Sequence, residues 1–586
     1  MKKIFLREAG ILPGEDCTLA LDALINENLS DAEFVFEDGD YYLSPKLTAD
    51  YRLSNTDVLP ERGLGIRLVG AKNVRLTGNG ARLWCSGRMQ PITIDRSENI
   101  EVSGFVIDWK KPMVAEGVVT AIGDGYVELF VDEKIFPHRY VIDAAGRQTL
   151  EFDIGSESEQ IWSPLMYESS MIQFDSATRT VRRATDDRFQ PKKIEIIDGE
   201  HIRIYADFIN TALGNIFVLR HNAREHAGIF CEKSKNILLS DITVHSCGGL
   251  GVLAQFCEDI TCRRVDFLPN RAAGRRIVSG RDDGMHITCC SGRVTITECS
   301  FLGLMDDPIN VHSCCVNGIE WLNDRTIRCR YMHPQAQNFL WFIEEGDEIA
   351  FIERRHMNRI CTARAKRFTP ERPDEFIVEF DAALPENLRN IPTSELALDN
   401  LTHTASFICT KNRFGSCRAR GVLVSVPKRV YIADNYFESS GSAILVAGDS
   451  NYWYESGACH DVEICGNVFT NACLSSMYQF CRGVISVCPV VPEPDVKLPY
   501  HENINIHDNI FDTAGTPVLY SYSARGLRFE HNRIFASPSA DRWHPDGDLI
   551  RLEYTSDAVI GDNLIVGDLP LGRLSEKECE SVASDF

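Results

Sequence analysis

The chain has 586 residues, 44% hydrophobic and 25% charged, enough for several domains or one elongated repeat body. Its 61 Lys and Arg stand against 84 Asp and Glu, a net charge of -23. That balance excludes the basic face a nucleic-acid partner requires and favours neutral over anionic substrates. No apolar run is long enough to span a membrane, and Arg7 and Glu8 break the N-terminal stretch before it can form a signal-peptide core. The expectation is a cytoplasmic protein with no membrane partner. The 21 cysteines are an odd number and, without an export signal, read as reduced thiols. No C-x-x-C pairs lie at zinc-ribbon spacing, and neither a metal nor another cofactor is expected.

Along the chain, the segment 22–44 reads as a helix followed by a strand, and resembles the entry cap of pectin-lyase-like β-helices. From Asn73 onward, short β-branched runs recur, each broken by Asn or Gly. Early ones are NVRLTGNG and NIEVSGFVIDW; later ones are RVYIADNYF, DVEICGNVF and NINIHDNIF. Asn73 and Asn99 are 26 positions apart, and Asn509 and Asn532 are 23 apart. A strand-only repeat of this length predicts one solenoid coil per unit. The predicted fold is all-β: a right-handed parallel β-helix. Asn435, Asn467, Asn509, Asn532 and Asn563 read as corner residues, suited to a left-handed backbone and able to bond their amides along a stack.

Two stretches break the period, with longer strands and Asp-Gly or Gly-Asp turns. They read as small antiparallel barrels inserted between coils. The predicted division is a cap and first coils over 1–109, a barrel over 110–225 and coils with acidic motifs over 226–315. A second barrel over 316–405 and C-terminal coils over 406–586 complete it. Neither insertion carries a recognisable chemical motif.

Chemistry concentrates in SGRDDGMHITC, from Ser279, and LGLMDDPINVHSCC, from Leu302. Asp283 and Asp307 are 24 positions apart, about one coil. Coils stack at about 4.8 Å, so these carboxyls should share a face within roughly 5 to 10 Å, the range used in glycoside hydrolysis. Close packing of Asp283, Asp306 and Asp307 disfavours joint ionisation and should raise at least one pKa. Adjacent strand residues point to opposite faces, so Asp306 and Asp307 share the cleft only if the chain turns before Pro308. Further candidates for substrate contact are Asp282, His286, His312, Arg418, Arg420, Trp453 and Glu455. Arg275, Arg276 and Arg281 precede the first motif, placed to steady its charge or simply solvated.

DDGMH, MDDPINVH, CRARGVLVS at Cys417–Ser425 and WYESG at Trp453–Gly457 together resemble glycoside hydrolase family 110, over nearly the whole chain. That resemblance implies an inverting α-1,3-galactosidase of the blood group B-cleaving type, acting on oligosaccharides with a terminal α-galactose, and a homodimer. It implies Asp306 as general acid, with Asp283 and Asp307 holding and activating water.

A polygalacturonase-like hydrolase is the nearest alternative, but the Gly-His-Gly and Arg-Ile-Lys motifs of that family are absent. Asn55-Thr56-Asp57 lies near the N-terminal cap, far from the other acids. A Ca²⁺-dependent pectate-lyase-type eliminase fits the paired aspartates less well than hydrolysis does. A non-catalytic, carbohydrate-binding β-helix would explain the repeats equally well.

Overall fold

The computed structural model describes residues 1–56, 61–142, 146, 148–155, 160–162, 171–182, 192–207, 211–221, 224–274, 276–334, 342–513, 515–537, 547–569 and 572–585. The chain is mostly β, with 53% strand and 4% helix. Alternation along each repeat turns one set of side chains inward, and the coils bury that set against their neighbours. Strands Gln90–Asp95, Ala227–Glu232, Leu250–Gln255 and Met285–Thr288 pair in parallel, one chain turn to the next. Ile309–Asn323, Val422–Ser425, Ile444–Val446 and Ile485–Val487 extend the same ladder. In this register Ile92, Ile229, Val252, Met285, Ile309, Val422, Ile444 and Ile485 lie one on another, all fully buried. A slip of one residue would turn that whole column outward, so the apolar stack fixes the register.

The Asn-x-Phe units have a direct structural meaning. Asn412, Asn435, Asn467, Asn509 and Asn532 each donate from backbone and side-chain amide to the Oδ1 of the next, ending at Asn563, at 2.9–3.1 Å. Two residues on, Phe437, Phe469 and Phe511 point to the same side and continue a stack begun by Phe267, Phe301 and Phe414. One expectation is corrected. The ladder asparagines do not take the left-handed backbone; Lys411, Asp434, Gly466, Asp508, His531 and Asp562, each one residue earlier, do. The turn is made before the Asn, which frees its amide to align along the stack. All 21 cysteines are free thiols, 18 of them buried as small hydrophobes.

Both irregular stretches leave the coils and return without breaking the ladders. Glu98–Trp109 pairs directly with Lys235–Val244 across the first. Between them runs a six-stranded antiparallel sheet, ordered Gln173–Phe174, Ile216–Leu219, Ala115–Gly123, Tyr126–Phe130, His201–Tyr205, Lys193–Ile196. His138–Ile142, Gln148–Phe152 and Gln160–Trp162 form a separate three-stranded sheet. Among the described residues neither of these sheets closes on itself. In the second stretch the antiparallel pairings do return to their origin: Ile309–Asn323, Thr326–Arg330, Glu375–Phe380, Asn358–Pro370, Glu348–Glu353, Leu396–Asn400 and back to the first. The expected boundary after residue 315 therefore falls inside one strand, whose first half belongs to the coils.

The first antiparallel sheet is tied to the acidic motifs by Glu116, whose Oε1 accepts from the backbone of Ile277 at 2.7 Å and Val278 at 3.0 Å. Burial pushes this carboxyl up to about 7 against the pull of those two bonds. Arg276 does not face the acidic motifs; it donates to Asp108 at 2.8 Å and the Trp109 carbonyl at 2.9 Å, pinning the same segment to the earlier coil, while Arg275 lies outside the described residues.

Two outcomes are expected. Asn467→Ala removes the acceptor for two buried donors of Asn435 and should cost about 2–4 kcal/mol in chemical denaturation. Folded Glu116 holds its proton up to about 7, beyond where the unfolded chain releases it, so its contribution to stability falls as pH rises through that window. The melting temperature of Glu116→Gln, relative to the unaltered protein, should therefore rise between about pH 5 and 8.

Candidate active site

The motif residues stand where three consecutive coils turn a corner. The backbone of Ser279 donates to the Gly303 carbonyl, Gly284 to Asp307, and Arg418 to Leu304, so the segments stack directly. Residues 305–308 are irregular, with bends at 305, 306 and 308 and no strand, which removes the alternation that would have sent Asp306 and Asp307 to opposite faces.

Asp282 is fully buried. Its carboxylate accepts from Arg281 at 2.8 Å, Arg220 at 2.9 Å and Arg224 at 3.0 Å. Burial pushes this carboxyl up, but the three guanidiniums outweigh it and hold it far below the usual carboxylate range. Its lone pairs are spent inside the protein, so it serves as an anchor for arginines. The Arg224 nitrogen bonded to it also reaches Asp306 at 2.9 Å and lies 4.0 Å from Asp283.

Asp306 has the most open side chain of the three candidate acids, 15% exposed against 4% for Asp283 and 3% for Asp307. Besides Arg224 it accepts from the Tyr478 hydroxyl at 3.0 Å and lies 3.7 Å from Arg418. Burial raises its carboxyl, but Arg418, Arg224, Arg420 and Arg220 together bring it below its ordinary value. Asp307 receives the Arg420 backbone N–H at 3.0 Å and the guanidinium at 2.7 Å. Burial, with Asp306 and Asp283 nearby, still pushes it well up. Asp283 is pushed well up for the same first cause, then by Asp306; its close partner is His286 Nδ1 at 2.7 Å. The site thus sets one carboxyl below its ordinary value beside two raised above theirs.

Arg418 and Arg420 both lie over the Tyr478 ring, 4.9 and 4.8 Å from its centre. Arg418 also donates to the Met305 carbonyl at 2.9 Å. His286 and His312 are buried, with Nε2 atoms 2.9 Å apart. Glu455 arrives on a short strand, Glu455–Ser456, antiparallel to Ser313 and Cys314. It accepts from Asn55 at 3.0 Å and Asn310 at 3.3 Å and sits 3.7 Å from His312. Burial raises Glu455, but His312, His286 and Asn310 bring it below its ordinary value. Trp453 is half-buried, its ring 4.7 Å from that of His333.

Several of these residues gave no sequence signal. Arg220 and Arg224 come from the return of the first antiparallel insertion, where no motif was recognised, and Tyr478 from an irregular loop. Asn55 belongs to the tripeptide taken as remote, yet it bonds Glu455, and its carbonyl accepts from Arg224 at 3.5 Å. The expected distance from the acids was wrong because the segment folds back over the coil face; Asp57 itself lies outside the described residues. Asn310 and His333 were also unmarked, although Asn310 sits inside MDDPINVH.

Residues 326–390 match the family described as GLAA-B beta-barrel domain II. An Alpha-1,3-galactosidase B of Bacteroides thetaiotaomicron is 37% identical over 543 residues, covering 91% of this chain and 85% of that protein. An Alpha-1,3-galactosidase A of Bacteroides fragilis is 29% identical over 593 residues, covering 97% and 93%. Among solved structures, a family 28 exopolygalacturonase of Yersinia enterocolitica aligns over 99% of this chain and 78% of that one, with 8% identity and a TM-score of 0.39. The chain belongs to the alpha-1,3-galactosidase family, of the glycoside hydrolase family 110 type, and is an enzyme that hydrolyses glycosides.

Proposed function

We propose that the enzyme removes terminal α-1,3-linked galactose from blood group B-type or linear α-galactosyl glycans, acting from the chain end with inversion, as a homodimer. The observation that carries this reading is the stacking of Asp283, Asp306 and Asp307 on adjacent coil corners around one arginine cluster. An inverting hydrolysis needs one carboxyl to protonate the leaving oxygen and another to activate water across the sugar ring. Asp306, the most open of the three, is the proton donor in this reading, and Asp283 and Asp307 hold the water. Glu455, Asn55, Asn310 and Trp453 supply hydroxyl acceptors, amide donors and an aromatic wall for an uncharged sugar. The site arginines named above bind protein carboxylates and carbonyls, which favours a neutral ring over a uronic acid.

In this reading the stacked ladders are a right-handed parallel β-helix, and both irregular stretches are insertions that wall the cleft, the second of them a barrel. The parallel register of about one strand per turn and the closed antiparallel ring support it.

In the free protein Asp306 sits below its ordinary value, the wrong side for a donor near neutral pH. A sugar ring seated over it removes its remaining contact with water, which raises the carboxyl. Three acids this close titrate as a set, so the macroscopic limbs belong to the group. The alkaline limb of kcat, which reports the complex, should lie at higher pH than that of kcat/KM, which reports the free enzyme. Coincident limbs would contradict a donor whose pKa rises on binding.

The direct test is NMR of an α-1,3-galactosyl oligosaccharide during turnover. β-Galactose should appear first, and Asp306→Asn should lower kcat at least about a hundredfold. Initial α-galactose would overturn inversion, and no galactose release by folded protein would overturn the substrate.

A further inference from the structure

Behind Asp283 lies a chain of three hydrogen bonds that ends on a backbone carbonyl. Asp283 Oδ2 is 2.7 Å from His286 Nδ1, His286 Nε2 is 2.9 Å from His312 Nε2, and His312 Nδ1 is 2.6 Å from the Ser313 carbonyl. The two rings meet edge to face at 84°, and both residues are at most 4% exposed.

The far end fixes every proton in this chain. A carbonyl only accepts, so His312 carries its proton on Nδ1 and presents a bare Nε2. His286 must then donate from Nε2, which leaves its Nδ1 bare and able to accept. Asp283 Oδ2 is left as the donor, so the carboxyl is protonated in the resting site. Burial keeps both rings neutral: His286 is pushed down to about 4, His312 is also lowered, and Asp283 is raised. The charged groups around the pair are Glu455, Arg224 and Asp306. A metal ion shared by the two Nε2 atoms would hold them about 3.3 Å apart at zinc–nitrogen distances. The observed spacing is that of a hydrogen bond.

A carboxyl already holding a proton is a poor base unless it can pass that proton on. We propose that His286 takes the Oδ2 proton of Asp283 as water is activated, and that His312 is the positioning residue that fixes the His286 tautomer for this transfer. The proposal rests on the glycosidase reading above. In the step, a water O–H bond breaks and its proton goes to Asp283 Oδ1, while the Oδ2 proton moves to His286 Nδ1. The water oxygen bonds the anomeric carbon. The glycosidic C–O bond breaks with its electron pair on the leaving oxygen, which takes the proton of Asp306. Asp283 ends neutral, His286 ends as imidazolium and Asp306 as carboxylate; return of one proton to Asp306 through solvent resets the site. His286 acts through Asp283 and is itself a positioning residue.

Two measurements test this. Neutron diffraction on the deuterium-exchanged protein should place deuterons on Asp283 Oδ2, His286 Nε2 and His312 Nδ1. A deuteron on His286 Nδ1 in place of Asp283 Oδ2, or a bare His286 Nε2, would overturn the proton assignment whatever the enzyme hydrolyses. In turnover, His312→Phe removes the acceptor and lets His286 donate from Nδ1 to Asp283, which makes Asp283 a weaker base. Its kcat should fall at least about tenfold, and the acidic limb of kcat/KM should move to lower pH. His312→Gln can still accept from Nε2 and should restore the original limb. An unmoved acidic limb in His312→Phe would reduce His312 to a packing role. Failure of the unaltered enzyme to release galactose would instead count against the substrate reading and leave the neutron result standing.

Discussion

The site depends on one buried carboxylate. Asp282 has no contact with water and is the shared partner of three guanidiniums, two of them delivered by the return segment of the first insertion. A buried carboxylate of this kind is tolerable only when fully paired, and the arginines are tolerable only beside it. Burial, with Arg281 and Arg418 close by, already pushes Arg220 down to about 10. Together with Glu116, this cluster fastens an antiparallel insertion to a coil corner. It also fixes Arg224, and through Arg224 the charge felt by Asp306 and Asp283.

From that anchor the division of labour among the acids follows. The coil repeat brings them to neighbouring corners and the bend before Pro308 turns two adjacent aspartates to one side. In the free protein Asp306 faces cations and sits below its ordinary value, while Asp283 faces a neutral imidazole and is raised above its own. A uniform environment would have left the carboxyls equivalent. The acids come from the coils, and the cations that make them different come from both sources: Arg418 and Arg420 from the coils, Arg220 and Arg224 from the first insertion.

The repeat was legible because it is periodic: β-branched runs at 23 to 26 positions translate directly into parallel register, and Asn-x-Phe into an amide ladder beside a phenylalanine stack. The proximity of Asp283, Asp306 and Asp307 was legible for the same reason, since one coil of separation in sequence is one strand spacing in space. Arg220, Arg224, Tyr478 and Asn55 were not legible. Each arrives from an irregular segment whose path is set by contacts far away in sequence, and Arg, Tyr and Asn are ordinary loop residues. Asp282 shows the converse failure. Its place beside Asp283 suggested substrate contact, but a step of one residue at the corner was enough to turn it inward. The left-handed turn residues were misplaced by one position, because the same Asn was expected to make both the corner and the ladder.

The amide column also has a direction. From Asn412 to Asn532 each asparagine donates to the Oδ1 of the next one toward the C-terminal end, and the column starts where Asn412 Oδ1 accepts from the Cys299 backbone at 2.9 Å, close to the acidic motif at 305–307. Each coil therefore completes the hydrogen bonding of the coil before it and relies on the one after. Fraying from the last coil exposes donors one level at a time, and the damage travels up the column toward the acidic corner. Coils that contribute nothing to the pocket are in this sense its foundation, and shortening the chain from that end erodes the cleft long before the cut reaches it.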